Sequence, residues 1–182
     1  VLAPGASGNN RLVISMFDTN GNIIWSKNYM EENLTYNSGN VEIIESLDGN
    51  LVLAGGWMPG TMTLIDYSSG EIISSFELPF VNARRIIRTN NGYTMLALGE
   101  SDNVASVGVD NGGNVIWSKI YDDPSTSGPL DIINQDDGGF VIFCYSDPPP
   151  YATLIKTDSL GNEIWRKKYD DYIGGGNGSL AP

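Results

Sequence analysis

Three nearly identical segments decide the fold of this chain: GNIIWSK at residues 21–27, GNVIWSK at 113–119 and GNEIWRK at 161–167. An aspartate lies seven residues before the tryptophan of each segment. A fourth copy, LIDYSSGEIISSF at residues 64–76, keeps the aspartate but has lost the tryptophan. The aspartates of the four copies are 48, 44 and 48 residues apart, at Asp18, Asp66, Asp110 and Asp158. A period of about 20 to 50 residues is typical of a repeat architecture.

A second motif alternates with the first. It occurs as VEIIESLDGNLVLAGG (41–56), ARRIIRTNNGYTMLALGE (83–100) and PLDIINQDDGGFVIFCYS (129–146), which align on an Ile-Ile pair and a turn. The runs beside the turns are rich in β-branched and aromatic residues, which favour strands. Asn-Gly, Asp-Gly and Gly-Asn pairs supply the positive φ angles that hairpin turns require. Each repeat therefore predicts two hairpins, that is, four strands.

Four strands in a repeat of roughly 45 residues are typical of the blades of a β-propeller. The predicted fold is all-β: a β-propeller built from about four four-stranded antiparallel blades, one of which can be incomplete. It forms a single domain over residues 1–182, with repeats at approximately 11–57, 58–101, 102–147 and 148–182 plus 1–10. Because one blade cannot bury both of its faces, we expect the repeated tryptophans to pack between neighbouring blades.

The two ends of the sequence leave open how the ring closes. In register with the other repeats, residues 1–3 fall on the second strand of a blade, and Pro182 ends where the first strand of that blade would begin. The chain could close a four-bladed ring with one thin blade, form part of a longer propeller, or leave a strand slot that a neighbouring molecule fills. We expect a closed or nearly closed four-bladed unit, with an intermolecular contact at this seam as the alternative.

The composition excludes several classes of function. The net charge is −12, so nucleic acids and anionic lipid surfaces would repel the chain. No apolar segment is long enough to cross a bilayer, and we expect no membrane insertion. The chain has no histidine, which removes the commonest general base, and one cysteine, which excludes an internal disulfide. We expect this residue, Cys144, to be a buried and inert thiol.

Carboxylates are the remaining candidates for a metal or catalytic site. The loop DTNGN at 18–22 is similar to the opening of a calcium loop, but the other repeats do not keep its pattern. Acidic pairs, which could gather a cation or act as an acid and a base, stand at Asp122-Asp123, Asp136-Asp137 and Asp170-Asp171. Turn stabilisation and solvated loop charge explain these residues more simply. We therefore predict no catalytic residues, no metal ligands and no cofactor, and we assign no binding residues.

One basic cluster interrupts this acidic chain, at ARRIIR (83–88). On a strand, Arg84 and Arg88 would share one face while Arg85 lies on the other, so the cluster forms no single cationic surface. We expect these arginines to pair with nearby carboxylates.

The segment LIKTDSLGNEIWRKKY (154–169), together with IINQDDGGFVIFCYS (132–146), resembles the secreted propeller repeats of bacteria and archaea. It is similar, more distantly, to the tryptophan-bearing blades of quinoprotein dehydrogenases. The first resemblance implies an extracytoplasmic scaffold or binding module, often a portion of a larger surface protein. The second would require a cofactor pocket with calcium ligands and a catalytic aspartate, and no residues of this chain can be assigned to those roles.

The leading hypothesis is a non-catalytic, extracellular or cell-surface propeller module. It would act as a structural, adhesive or protein-interaction unit, with self-assembly through an open strand edge as one form of that interaction. The alternative is a carbohydrate-binding propeller, in which Trp57, in the loop AGGWMPG, or tyrosines of the loops would stack on a sugar ring. A hydrolase or an enzyme related to quinoproteins ranks below both, because no convergent catalytic constellation is visible.

A glycan array separates the first two hypotheses. A purely structural module predicts no reproducible sugar binding. Binding that the variant Trp57→Ala abolishes would favour the carbohydrate-binding propeller instead.

Overall fold

The computed structural model describes residues 12–29, 41–55, 60–99, 103–122, 128–146 and 151–169. All regular structure in these ranges is β-strand, fourteen strands in total, and every pairing is antiparallel. The described ranges contain no helix with the length and apolar character that a bilayer crossing requires.

The strands form four sheets, and within each sheet the spatial order follows the order along the chain. The first sheet has two strands, β1 (Leu12–Phe17) and β2 (Ile23–Tyr29). The second consists of β3 (Glu42–Glu45), β4 (Leu51–Gly55), β5 (Thr61–Ile65) and β6 (Ile72–Glu77). The third consists of β7 (Val81–Thr89), β8 (Gly92–Leu98), β9 (Val104–Asp110) and β10 (Val115–Tyr121). The fourth consists of β11 (Gly128–Asn134), β12 (Phe140–Ser146), β13 (Tyr151–Thr157) and β14 (Glu163–Tyr169).

This arrangement confirms the all-β fold with four-stranded antiparallel blades, of which the first contributes two strands within the described ranges. The sheets are out of phase with the sequence repeats by half a unit. The repeat at 11–57 supplies both strands of the first sheet and then β3 and β4 of the second. Each complete sheet therefore takes its first two strands from one repeat and its last two strands from the next.

The hydrophobic core consists of three layers, each lying between two consecutive sheets. The layer between the first and second sheets contains Leu12, Ile14, Trp25, Leu51, Leu53 and Ile65. The next contains Val52, Ala54, Met62, Ile86, Met95 and Val109, and the last contains Leu96, Val104, Tyr121, Ile132, Ile142 and Ile155. Adjacent residues of one strand, such as Val52 and Leu53, enter different layers because strand side chains alternate between faces. The middle sheets are thus buried on both faces, which explains why every residue of β4 and β8 is buried.

The first strands of the complete sheets approach one another, β3 against β7 and β7 against β11. Charged groups connect them: Glu42 Oε2 accepts a hydrogen bond from the Ile86 amide at 2.6 Å, and Arg85 Nε lies 3.5 Å from Asp131 Oδ1. This contact confirms the expected pairing with a carboxylate for one arginine of the cluster, Arg85. Burial raises the pKa of Glu42, partly offset by the Ile86 hydrogen bond and the charge of Arg85.

In the turns that connect β1 to β2, β5 to β6, β9 to β10 and β13 to β14, an aspartate accepts the hydrogen bonds that hold the turn. Asp18, Asp110 and Asp158 each accept the amide of the asparagine four residues ahead at 2.8 Å, and the side chain of that asparagine donates to the second carboxylate oxygen. In the second sheet, Asp66 instead accepts hydrogen bonds from the amides and hydroxyls of Ser68 and Ser69. The aspartates therefore fix these turns, as the sequence predicted.

These hydrogen bonds make the turns sensitive to acid. The asparagine side chain and backbone lower the pKa of Asp18, Asp110 and Asp158. The hydrogen bonds from Ser68 and Ser69 lower the pKa of Asp66 to about 2. A carboxylate with a lowered folded-state pKa stabilises the fold at neutral pH, and this contribution is lost as the pH falls below the unfolded value.

We predict that the free energy of unfolding falls as the pH is lowered from about 5 to about 2, because the unfolded chain then binds more protons than the folded chain. The variant Asp66→Asn, which keeps an acceptor oxygen but cannot be protonated, should lose less stability over this range than the wild type. Urea unfolding at a series of pH values measures both slopes. The variant Asp136→Asn, at an exposed position of another turn, is the control for the loss of one surface carboxylate. If the free energy of unfolding depends on pH equally in Asp66→Asn and the wild type, the stabilising role of the Asp66 carboxylate is contradicted.

Candidate functional site

A repeated contact joins each sheet to the next along the chain. In the first instance, Trp25 Nε1 donates to the carbonyl oxygen of Tyr67 at 2.9 Å, and Tyr29 Oη donates to the carbonyl oxygen of Gly70 at 2.6 Å. Gly70 has a φ of +72°, and a Cβ atom built on it would lie less than 3.0 Å from the Trp25 indole. Only glycine therefore satisfies both the turn and the ring at this position. We call this contact an aromatic joint: an aromatic side chain on the last strand of one sheet packs against the turn glycine of the next sheet.

The joint between the third and fourth sheets has the same parts. Trp117 lies against Gly161, where an added Cβ would again meet the indole at less than 3.0 Å. Tyr121 Oη donates to the Gly161 carbonyl at 3.0 Å, and its oxygen lies 2.8 Å from the Ser106 hydroxyl. Burial raises the pKa of Tyr121 to about 12, despite the hydrogen bond to Ser106. The tyrosine is therefore a fixed donor that holds the turn of the next sheet.

The middle joint uses a different residue, which the sequence analysis missed. The strand register pairs Leu64 with Ser74 just before a bulge, so Ser74 occupies the position that Trp25 holds in the first sheet. Phe76, two residues further along β6, places its ring against Gly113 instead. The nearest aromatic residue on the same face of the strand was the signal that could have identified it.

A second missed signal is the tyrosine four residues after each tryptophan. It is visible in the sequence as Trp25–Tyr29, Trp117–Tyr121 and Trp165–Tyr169. Residues four apart on a strand lie on the same face, so both side chains reach the same neighbouring turn. The structure confirms that Trp25 and Trp117 pack between neighbouring sheets, as predicted.

The last sheet exposes its joint residues more than the other sheets do. Trp165 is 38% exposed, whereas Trp25 is 9% exposed and Trp117 is partly buried. Tyr169 is 47% exposed, whereas Tyr29 and Tyr121 are 8% and 4% exposed. We call Trp165 and Tyr169, with Lys167 between them, the aromatic end. It is half of an aromatic joint without its glycine turn.

The first sheet exposes the complementary half. Phe17 is 37% exposed, whereas the residues at the same register position in the other sheets, Ile65, Val109 and Thr157, are 0%, 1% and 0% exposed. Gly21 has a φ of +84°, and no described residue lies within 4 Å of a Cβ atom built on it. We call Phe17 and the turn at residues 18–22 the glycine end.

The closing contact of a four-bladed ring, Trp165 against Gly21, is thus not formed among the described residues. The strand expected at residues 1–3 and the tail expected to help closure lie outside the described residues. The row of sheets therefore ends in two half-joints of opposite type, and these are the candidate functional site.

The other candidate residues of the sequence analysis do not converge. Trp57, Asp123 and the pair at 170–171 lie outside the described residues. Asp137 accepts a hydrogen bond from Lys156 Nζ at 2.7 Å, which together with the Gly139 amide lowers its pKa. Within the described ranges, no group of three His, Cys, Asp or Glu side chains is placed to hold a metal ion. Cys144 is buried in the layer between the third and fourth sheets, as predicted.

A small pocket lies between the second and third sheets at their turn edge. Its volume is about 180 Å³, and it is lined by Leu47, Asp48, Leu64, Tyr93 and Asn111. The one carboxylate in it, Asp48, accepts hydrogen bonds from Ser46 and Asn50, and these lower its pKa. The pocket therefore offers a single, already engaged carboxylate.

No protein-family model matches this chain, and no curated protein sequence matches it. Solved structures do match. BamB from Moraxella catarrhalis aligns with a TM-score of 0.55 and 16% identity, over 92% of this chain and 48% of BamB. The Dos1 propeller aligns with a TM-score of 0.61 and 14% identity, over 87% of this chain and 42% of its own. A protein of unknown function from Bacteroides caccae aligns with a TM-score of 0.53 and 18% identity, over 90% of this chain and 59% of its own.

These neighbours support the β-propeller fold, and at such identities they show the fold alone. The chain spans between 42% and 59% of the length of the chains it matches.

We predict that filling a joint glycine destabilises the fold. Gly161→Asn would drive a side chain into the Trp117 indole, whereas Gly138→Asn has no described neighbour within 4 Å of its Cβ. Both glycines have positive φ, at +73° and +79°, so asparagine causes a similar backbone strain at either position. Gly161→Asn should be less stable than Gly138→Asn by about 1–3 kcal/mol, the usual range for overpacking. Equal urea midpoints for the two variants would contradict the joint.

Proposed function

We propose that this chain is a non-catalytic, extracellular β-propeller module that acts as a structural and protein-interaction unit. Its contact surfaces are the aromatic end and the glycine end. The extracellular setting rests on the resemblance of its repeats to secreted propeller repeats, and the non-catalytic role on the lack of a convergent set of reactive side chains in the sequence.

The observation that carries the proposal is the exposure of Trp165 and Tyr169. Exposed tryptophan and tyrosine side chains are the residues most enriched at the centres of protein interfaces. Where a neighbouring sheet is present, the same residue types are buried at Trp25, Tyr29 and Tyr121 and partly buried at Trp117. The surface is therefore already shaped to receive a folded β-sheet. A protein partner fits it better than a small ligand, because the exposed residues line the face of a sheet.

One basic residue of the last strand adds to this surface. Lys167 shares a face of β14 with Trp165 and Tyr169, whereas Arg166 and Lys168 alternate to the other face. Lys167 Nζ lies 5.4 Å from the centroid of the Trp165 ring. The aromatic end thus combines one cation with two aromatic rings in a chain of net charge −12, which suits an acidic protein partner such as another copy of the chain.

We predict that Trp165→Ser weakens the self-association of the chain by about tenfold or more, since truncation of a central aromatic residue commonly costs that much. Serine is tolerated at this strand position, because Ser74 occupies it in the second sheet. Sedimentation velocity over a range of protein concentrations measures the effect.

Ile164→Ser is the matched control. Ile164 is 58% exposed and adjacent on the same strand, but its side chain lies on the opposite face. This variant should associate like the wild type. Equal weakening by both substitutions would indicate a general loss of exposed apolar surface and would contradict a specific contact at Trp165.

A further inference from the structure

The two exposed ends of the row are complementary halves of one contact. We propose that the aromatic end of one copy packs on the glycine end of a second copy, which forms a fourth aromatic joint between molecules. This inference rests on the proposed function and adds the partner, its docking surface and the direction of assembly.

The chain itself contains the evidence that the two ends fit. The residues Trp117, Lys119 and Tyr121 recur at the same spacing as Trp165, Lys167 and Tyr169. The turn that receives Trp117, at residues 158–162, has the same aspartate hydrogen bonds as the turn at residues 18–22. Both turns place glycine at the third residue after the aspartate, with φ of +73° and +84°. The proposed joint therefore repeats one that the fold already forms.

The internal joints predict the contacts of the new one. The Trp165 indole would lie on Gly21, and Tyr169 Oη would donate to the carbonyl oxygen of Gly21, as Tyr121 does to Gly161. Lys167 would approach Asp18, just as the charge of Lys119 acts on Asp158 alongside the asparagine hydrogen bonds. Phe17 would become buried, because the residues at the same register position in the other three sheets are buried.

A second copy is the occupant that the internal joints favour, because each copy carries one aromatic end and one glycine end. The contact is heterologous, and two copies can form two identical joints.

Addition of a strand is a different mode of association and makes a different prediction. Among the described residues, β1 is paired on one edge only, with β2. A strand added to the other edge of β1 would extend the first sheet without covering Trp165 or Gly21. Association by strand addition would therefore be insensitive to both residues.

The test mixes two variants, each defective at one end. Trp165→Ser removes the aromatic end and keeps the glycine end. Gly21→Asn blocks the glycine end and keeps the aromatic end, and asparagine tolerates the positive φ of this turn. Phe17→Thr is a second glycine-end variant, because Thr157 occupies the equivalent position in the fourth sheet. Circular dichroism melting verifies that each variant is folded, and Gly138→Asn serves as the control for a turn glycine outside any joint.

We predict that each defective variant alone associates at least about tenfold more weakly than the wild type, while Gly138→Asn does not. An equimolar mixture of Trp165→Ser and Gly21→Asn should form a heterodimer, because it restores one intact joint. Energy transfer between differently labelled variants, together with the mass in sedimentation velocity, detects it. The double variant Trp165→Ser/Gly21→Asn, mixed with Trp165→Ser, should form none.

Three outcomes would overturn the proposal. If Trp165→Ser dissociates the protein but Gly21→Asn and Phe17→Thr do not, the aromatic end binds elsewhere, and the proposed function stands without this joint. If both single variants dissociate and their mixture does not recover, the contact is not head-to-tail. If the wild type is a monomer at every concentration, no second copy occupies the ends.

Discussion

The need to cover both faces of every sheet is the constraint on which the rest of this structure depends. A sheet whose strands alternate between two apolar layers, as β4 and β8 do, exposes one whole layer when a neighbour is missing. Burial of apolar surface contributes about 25 cal/mol for each Å², so an uncovered layer is a substantial loss. Stacking the sheets in a row covers all faces except the two outermost. The functional question of this protein is therefore what becomes of those two.

Glycine in the turns allows the row to form with a fixed spacing and register. At Gly70 and Gly161 one residue meets two separate demands, a left-handed backbone and room for an indole within contact distance. The carboxylate of the turn aspartate holds the loop so that this glycine is presented to the preceding sheet. Phe76 demonstrates that the joint requires an aromatic ring at the glycine rather than a tryptophan at one sequence position. The joint consequently depends on how the surfaces pack, and it can form where the sequence repeat is not conserved within the chain, as at Phe76.

Local sequence patterns were sufficient to predict the strands, the turns, the propeller fold and the packing role of Trp25 and Trp117. They are determined by alternation, turn chemistry and side-chain size, which all act over a few residues. Phe76 was missed because it lies two residues beyond the strand position that tryptophan holds in the other sheets, and only the packed sheets show that its ring reaches Gly113. The exposure of Trp165 could not be predicted, because its motif is the same as that of Trp117, which packs against the next sheet. Whether the last sheet reaches the first depends on the sum of the rotations between successive sheets, and no single sequence motif determines that sum.

Electrostatics also distinguishes the aromatic end from the rest of the molecule. Copies with a net charge of −12 repel one another at a distance, although physiological salt screens this repulsion beyond about 8 Å. A contact between such copies is favoured where one surface carries the opposite sign. Lys167 provides that sign at the aromatic end, where its Nζ lies 5.4 Å from the centroid of the Trp165 ring. The exposed half-joint therefore carries a positive charge of its own, and packing and charge favour the same surface of the fold.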